Sequence, residues 1–147
     1  QIERGDEAKA YIERYYEPLE KIMEDGLDAL IITGANVSNP DLTQAPFWKP
    51  LQEIMDWAWD NTTSTLCSCL ATHAVMQFKF GQARQPLKKK KWGVYGHRVS
   101  DRRHPIMRGV NTIFDVPHSR HNEITAEQFE HAGMKVLAAI SARSKPV

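Results

Sequence analysis

The sequence predicts an α/β protein of three layers, αβα, with helices on both faces of a doubly wound, mostly parallel sheet. Two apolar runs, at residues 27–33 and 64–69, have the continuous hydrophobicity of buried parallel strands. The segments at residues 45–60 and 69–80 place apolar side chains at helical spacing. Strands and helices that alternate along the chain with short connections favour parallel pairing with the helices packed on both faces.

The same spacing rules predict the remaining elements. An amphipathic helix is expected at residues 7–23, and Gly81 is expected to end the helix at residues 69–80. Thr125 begins a capping box, which predicts a short helix that Gly133 closes. Further strands are expected at residues 92–97, 111–116 and 134–140. We interpret the four lysines at residues 88–91 as a solvated edge before a strand, and residues 117–121 as a polar cluster at the end of one.

Composition excludes several classes of protein. The 147 residues carry a formal net charge of +1 and 41% hydrophobic residues, which is ordinary for one globular domain. The small charge favours no particular partner, and the lysine run lacks the nearby arginines and aromatics that a nucleic-acid patch needs. No apolar stretch approaches a membrane span or a signal peptide, so the expected compartment is the cytoplasm. Cys67 and Cys69 are too close together for an unstrained disulfide and lack the second ligand pair of a zinc site. We therefore expect no metal and no bound cofactor.

Cys69 is the candidate catalytic residue because it lies where an apolar strand pattern changes into a helical one. A turn of this kind lifts the thiol out of the sheet, and the positive end of the following helix favours the thiolate. The backbone amides that open the helix can also bind an oxyanion. Ser68, Ala71 and Thr72 are small enough for a tight turn. The alternative is a buried, inert cysteine.

Six segments, taken in order, resemble the homoserine O-acyltransferases of methionine biosynthesis. They include Gly-Val-Tyr-Gly-His at residues 93–97 and Pro-His-Ser-Arg at residues 117–120, and the full set is residues 27–35, 47–57, 63–69, 92–98, 101–105 and 116–121. The resemblance implies a class I glutamine amidotransferase-like, flavodoxin-like fold. It also implies homoserine and an acyl-CoA as substrates and a possible homodimer.

The resemblance assigns roles to four residues. Cys69 is similar to the family's nucleophile, which holds the acyl group as a thioester in a ping-pong reaction. Lys90 and Ser119 match substrate-binding positions, and an ammonium group suits the carboxylate of the amino acid or a polar group of the acyl donor. Ser38 matches the position that governs the choice of acyl donor. A carboxylate there would repel the free carboxylate of a succinyl group and serine would not, so succinyl-CoA is expected in preference to acetyl-CoA.

The family's catalytic histidine and glutamate belong to a Gly-His-Pro-Glu type of segment that this sequence does not contain. We therefore expect residues 1–147 to be a central fragment of one acyltransferase domain, incomplete at both ends and weakly active or inactive by itself. Two other functions remain open from the residues. One is a cysteine hydrolase or glutamine amidotransferase of the same fold, and the other is a non-catalytic domain that binds a metabolite.

Overall fold

The computed structural model describes residues 5–37, 39 and 41–141, and the fold is α/β. Two 3₁₀ turns, Leu42–Gln44 and Pro105–Met107, accompany the regular elements. The helices are α1 (Asp6–Tyr15), α2 (Leu19–Asp25), α3 (Trp48–Asn61), α4 (Leu70–Phe80) and α5 (Ala126–His131). The strands are β1 (Ala29–Ile32), β2 (Ser64–Cys67), β3 (Gln85–Val99), β4 (Ile113–Glu123) and β5 (Ala138–Ile140).

Strands β1 and β2 are parallel, and helix α3 connects them. Their register pairs Ala29 with Ser64 and Ile32 with Cys67, so both strands end at the same edge. The predicted β-α-β unit is thus confirmed. Helix α4 follows β2 directly and ends at Gly81, whose left-handed conformation (φ 65°, ψ 16°) confirms the predicted stop.

The core lies against this unit. Its buried side chains come from the 3₁₀ turn and from the inner faces of α3 and α4: Leu42, Trp48, Met55, Leu70, Ala71 and Ala74. Ile32 and Cys67, at the ends of the two parallel strands, are partly buried against the same cluster. The first turn of α4 is therefore fixed by the burial of Leu70 and Ala71 in this core.

The other three strands form a separate antiparallel sheet of order β4-β3-β5. Among the described strands only β1 and β2 pair in parallel. The prediction of a doubly wound, mostly parallel sheet is therefore wrong for β3, β4 and β5, which pair antiparallel. Parallel pairing needs a crossover connection, usually a helix. The connection between β3 and β4, residues 100–112, contains only the short turn Pro105–Met107, which suits an antiparallel return.

Three element predictions need correction. The helix expected at residues 7–23 is two helices, because Tyr16 is extended (φ −125°, ψ 140°) and Pro18 precedes α2. The four lysines at residues 88–91 lie inside β3 rather than before a strand. The polar residues 117–121 likewise lie inside β4 rather than after it. Long antiparallel strands tolerate such polar runs because one face can remain exposed to water.

The capping box at Thr125 is confirmed, since the Thr125 hydroxyl accepts a hydrogen bond from the Gln128 amide and the Gln128 side chain accepts one from the Thr125 amide. Strand β5 is shorter than the predicted 134–140 segment. Within the described ranges, no helix combines the length and the apolar character needed to cross a membrane.

Candidate active site

Cys69 lies at the elbow between β2 and α4. Its backbone (φ 56°, ψ −120°) is in a region that residues other than glycine rarely adopt, and among the described non-glycine residues it alone has a positive φ. Such a conformation costs about 1–3 kcal/mol and persists only where the surrounding structure imposes it. The side chain is exposed. The elbow therefore presents the thiol to solvent at the positive end of a helix of 11 residues.

Hydrogen bonds on both sides hold the elbow. The Ser68 amide donates to the Ile32 carbonyl oxygen at 2.9 Å and so ties the end of β2 to the end of β1. The Thr72 hydroxyl donates to the Cys67 carbonyl oxygen at 2.8 Å, and the Thr72 amide donates to the Cys69 carbonyl oxygen at 3.1 Å. Thr72 thus braces the turn from within the first turn of α4.

Gly34 follows β1 and lies directly beside the elbow. A Cβ atom at this position would be 2.7 Å from the Leu70 amide nitrogen and 3.1 Å from the Cys69 Sγ atom. Glycine therefore leaves open the space in front of the thiol and of the first amide of α4. An amide that follows the nucleophile is the usual first donor to a tetrahedral oxyanion, and its partner usually comes from the loop after a neighbouring strand.

The two cysteines differ in environment. Both thiols are free, but Cys69 is exposed whereas Cys67 is half-buried against the core. Burial raises the pKa of the Cys67 thiol, which leaves less thiolate at neutral pH. Cys67 is therefore a core residue, and Cys69 is the thiol that is exposed to solvent.

Lys90 and Ser119 are brought together on the outer face of the β3–β4 hairpin. Ser119 lies directly opposite Trp92 in the register, and the Lys90 ammonium lies over the Trp92 ring, 4.5 Å from its centre. Trp92 is 67% exposed, so this face is open to solvent. In the part of the chain that the structure describes, no hydrogen bond or ion pair joins this face to Cys69. Ser38 lies outside the described residues.

His73 of α4 has an environment that the sequence does not predict. His73 is one helical turn beyond Cys69, and its Nδ1 atom is buried without a hydrogen-bond partner. Burial, and then the charges of Arg84 and Arg120, lower the pKa of His73. The available signal was the position of His73 in the first turns of the helix that follows Cys69.

His121 and Glu123 have the spacing of a catalytic pair but occupy β4. Glu123 lies 3.6 Å from both Lys91 and Arg120, and His121 is exposed. Across the described ranges, no group of three or more His, Cys, Asp or Glu side chains is placed to hold a metal ion.

A thiol at a strained turn from a parallel strand into a helix, beside an open amide, has the geometry of the elbow that carries the nucleophile in one class of α/β proteins. The sequence model of one family, homoserine O-succinyltransferase, matches residues 1–144. The chain belongs to the homoserine O-succinyltransferase family.

Curated relatives agree with this assignment. A homoserine O-succinyltransferase from Nitrosococcus oceani is 62% identical over 138 residues, which is 94% of this chain and 38% of the relative. Proteins of the same name from Allochromatium vinosum and Thiobacillus denitrificans are 61% identical over 137 residues and 62% identical over 136 residues. These alignments cover 93% and 92% of this chain and 38% and 39% of the relatives. The chain thus spans less than half the length of the curated relatives it matches.

Proposed function

We propose that the protein to which this chain contributes is a homoserine O-succinyltransferase, which moves a succinyl group from succinyl-CoA to the hydroxyl of homoserine in methionine biosynthesis. The observation that carries the proposal is the exposed Cys69 thiol at a strained elbow, in a chain of this family. The β1-α3-β2-α4 unit also supports a class I glutamine amidotransferase-like arrangement for the complete domain.

The chemistry proceeds in two acyl transfers. The Cys69 thiolate attacks the carbonyl carbon of the donor thioester, the bond from that carbon to the CoA sulfur breaks, and CoA leaves as a thiolate that takes up a proton. The homoserine hydroxyl then attacks the acyl group on Cys69, loses its proton to a general base, and releases the cysteine sulfur. Gly34 has no side chain and therefore leaves the Leu70 amide open. That amide would stabilise the oxyanion of the tetrahedral intermediate in both steps.

Lys90 and Ser119 are proposed to bind the substrate, with the ammonium of Lys90 directed at a carboxylate. Both side chains lie beside Trp92 on one face of the β3–β4 hairpin, which supports a common role. Ser38 is proposed to permit the succinyl donor. The general base is expected in a Gly-His-Pro-Glu segment that these 147 residues do not contain, so we expect slow acylation of this chain alone. We also propose that the protein forms a homodimer and is located in the cytoplasm.

Intact-mass spectrometry after incubation with succinyl-CoA or acetyl-CoA tests the proposal. We expect a succinyl adduct on Cys69, formed faster in a longer form of the protein that includes the His-Glu segment. Cys67→Ser is the matched control and should keep the adduct, whereas Cys69→Ser should lose the thioester. Hydrolysis of glutamine without any adduct from either acyl-CoA would instead indicate an amidotransferase. The absence of both activities would indicate a non-catalytic domain.

A further inference from the structure

A stack of aromatic rings around His118 lies on the inner face of the β3–β4 hairpin. The His118 ring meets the Tyr95 ring edge to face, with 5.1 Å between the centres, and is stacked on the His97 ring at the same separation. Neighbouring residues of a strand point to opposite faces of a sheet. Ser119 therefore lies on the outer face, where it is directly opposite Trp92 in the register. His118 thus supports the strand from behind at the position next to Ser119.

The hydrogen bonds of this stack suit neutral imidazoles. The His97 Nδ1 atom is 3.1 Å from the Tyr95 carbonyl oxygen, which can only accept, so His97 carries its proton on Nδ1. The described part of the chain offers the buried His118 Nε2 atom no hydrogen-bond partner. A protonated imidazole donates from both nitrogens, so an imidazolium at His118 would leave a charged N–H group buried without an acceptor. Such burial is more unfavourable for a charged group than for a neutral one.

The charges near His118 also disfavour its protonation. The titratable groups around it come from both strands of the hairpin: Lys91, Tyr95 and His97 from β3, and Arg120 and Glu123 from β4. Strand β5, which pairs with β3 at His97, consists of Ala-Ala-Ile and adds none. Glu123 lies 3.6 Å from Lys91 and from Arg120, so these two cations share one carboxylate. Burial first, and then the charges of Arg120, His97 and Lys91, lowers the pKa of His118.

Two connections link the ring stack to the outer face of the hairpin. On β4, His118 is the residue before Ser119 in the chain. On β3, the hydroxyl of Tyr95 donates a hydrogen bond of 3.4 Å to the Trp92 carbonyl oxygen. Ser119 and Trp92 are themselves register partners. A displacement of the His118 ring therefore reaches both members of this pair.

We propose that neutral His118 is a positioning residue that holds Ser119 on the substrate-binding face, and that protonation of His118 withdraws Ser119 and weakens substrate binding. An imidazolium must leave the stack to reach water or another acceptor, and the backbone then carries the adjacent Ser119 with it. The inference rests on the proposed role of Ser119 in substrate binding. It adds a regulation of that role by mildly acidic pH.

The first test follows both faces of the hairpin by NMR during an acid titration of the chain. The His118 imidazole signals report protonation, and the Trp92 indole signal, assigned with Trp92→Phe, reports the outer face. We expect the two signals to change with the same midpoint, below the ordinary histidine value of about 6.5. In His118→Phe, which keeps an aromatic ring but cannot take up a proton, the Trp92 signal should no longer titrate. His131→Phe, at an exposed position of α5, is the matched control and should leave the Trp92 titration unchanged.

A second variant acts on the partner ring. His97→Phe removes one of the positive charges that oppose protonation of His118 and keeps a ring in the stack, so the midpoints of both signals should rise together. Circular dichroism verifies that each variant folds. A Trp92 signal that stays constant while His118 titrates, or that titrates unchanged in His118→Phe, would overturn the inference.

The second test measures the homoserine KM and kcat of the longer form of the protein, with saturating succinyl-CoA, from about pH 7.5 to about pH 5.5. We expect KM to rise about 3–10-fold as the pH falls, the equivalent of one lost hydrogen bond. KM should not depend on pH in His118→Phe. Ser119→Ala should have a raised KM at the higher pH already and show no further rise. A rise of the same size in Ser119→Ala would show that Ser119 does not transmit the effect.

The outcomes separate this inference from the proposed function. If succinyl-CoA does not acylate Cys69, the proposed function fails, and the NMR titration still decides whether His118 controls the outer face. Coupled NMR signals together with a homoserine KM that is independent of pH would overturn the link to substrate binding while leaving acylation intact. A fall in kcat at constant KM would assign the pH effect to acyl transfer and overturn the role of His118.

Discussion

Gly34 lies so close to Cys69 that a single added methyl group would be 3.1 Å from the Sγ atom and 2.7 Å from the Leu70 amide nitrogen. The second distance is shorter than real side-chain contacts to backbone, so either the loop or the first turn of α4 would have to move. Neither can move easily. Leu70 and Ala71 are 6% and 1% exposed, and the Ser68 amide is bonded to Ile32.

Gly34→Ala is therefore expected to slow acylation of Cys69 at least about 100-fold, the usual effect of losing one oxyanion donor. The measurement is the initial rate of adduct formation with succinyl-CoA. Gly5→Ala is the matched control, because nothing lies within 4 Å of a Cβ at that position. An unchanged rate in Gly34→Ala would show that the space beside the Leu70 amide has no part in the reaction.

The strain at Cys69 gives a second prediction, which concerns stability. Glycine adopts a positive φ without a steric penalty, whereas alanine retains the penalty that cysteine has. Cys69→Gly should therefore be more stable than Cys69→Ala by about 1 kcal/mol, although neither variant can form the thioester. Urea unfolding of the two variants measures the difference. Equal midpoints and slopes would show that the elbow is not strained.

The elbow was predictable because its determinants are local. An apolar run that ends at Cys69, small residues on both sides and a glycine stop at Gly81 are all read from neighbouring positions. The structure places the strand end, the turn and the helix stop within a residue or two of those expectations. Local propensity and the final packing agree here, as they do in most well-determined elements.

The antiparallel sheet was harder to predict because its determinants are not local. The lysines at residues 88–91 suggest an exposed edge, yet they lie inside β3, whose pairing with β4 is irregular between Pro86 and Lys91 and resumes at Lys91. The environment of His73 is also invisible in sequence, because Arg84 and Arg120 come from separate parts of the chain. Such juxtapositions depend on tertiary pairing, which overrides the local pattern.

A third prediction concerns the selectivity of thiol chemistry. Iodoacetamide at pH 7 should modify Cys69 well before Cys67, because Cys69 is exposed while burial raises the pKa of Cys67 and limits access to it. Peptide mapping after limited reaction measures the order. In Cys69→Ser the remaining thiol should react slowly until denaturant is added. Early modification of Cys67 in the folded chain would contradict this account of the two environments.

A fourth prediction concerns the Thr72 brace. Thr72→Val removes the hydroxyl that donates to the Cys67 carbonyl oxygen, and the expected loss of unfolding free energy is about 1 kcal/mol. Acylation should slow as well, because the brace orients the turn that carries the thiol. Thr72→Ser keeps the hydroxyl and should restore most of both properties. A Thr72→Val variant with unchanged stability and rate would show that the helix alone positions Cys69.

The last prediction is a dependence of stability on pH between about 5 and 7. Burial first, and then nearby positive charge, lowers the pKa of both His73 and His118 in the folded chain. The unfolded chain takes up these protons as the pH falls through about 6.5, while the folded chain resists them. The unfolded state therefore binds more protons, and the free energy of unfolding should decrease as the pH is lowered through this window.

The groups responsible can be separated by substitution. The side chains whose charges act on the two imidazoles come from β3, β4 and the segment before them: Arg84, Lys91, His97 and Arg120. His73→Gln should remove part of the slope measured by urea unfolding, and the double variant with His118→Gln should remove more. The carboxyl groups with lowered pKa values, such as Asp41 and Asp101, titrate below this window and do not interfere. A double variant with the full slope of the unaltered chain would show that neither imidazole resists protonation in the folded state.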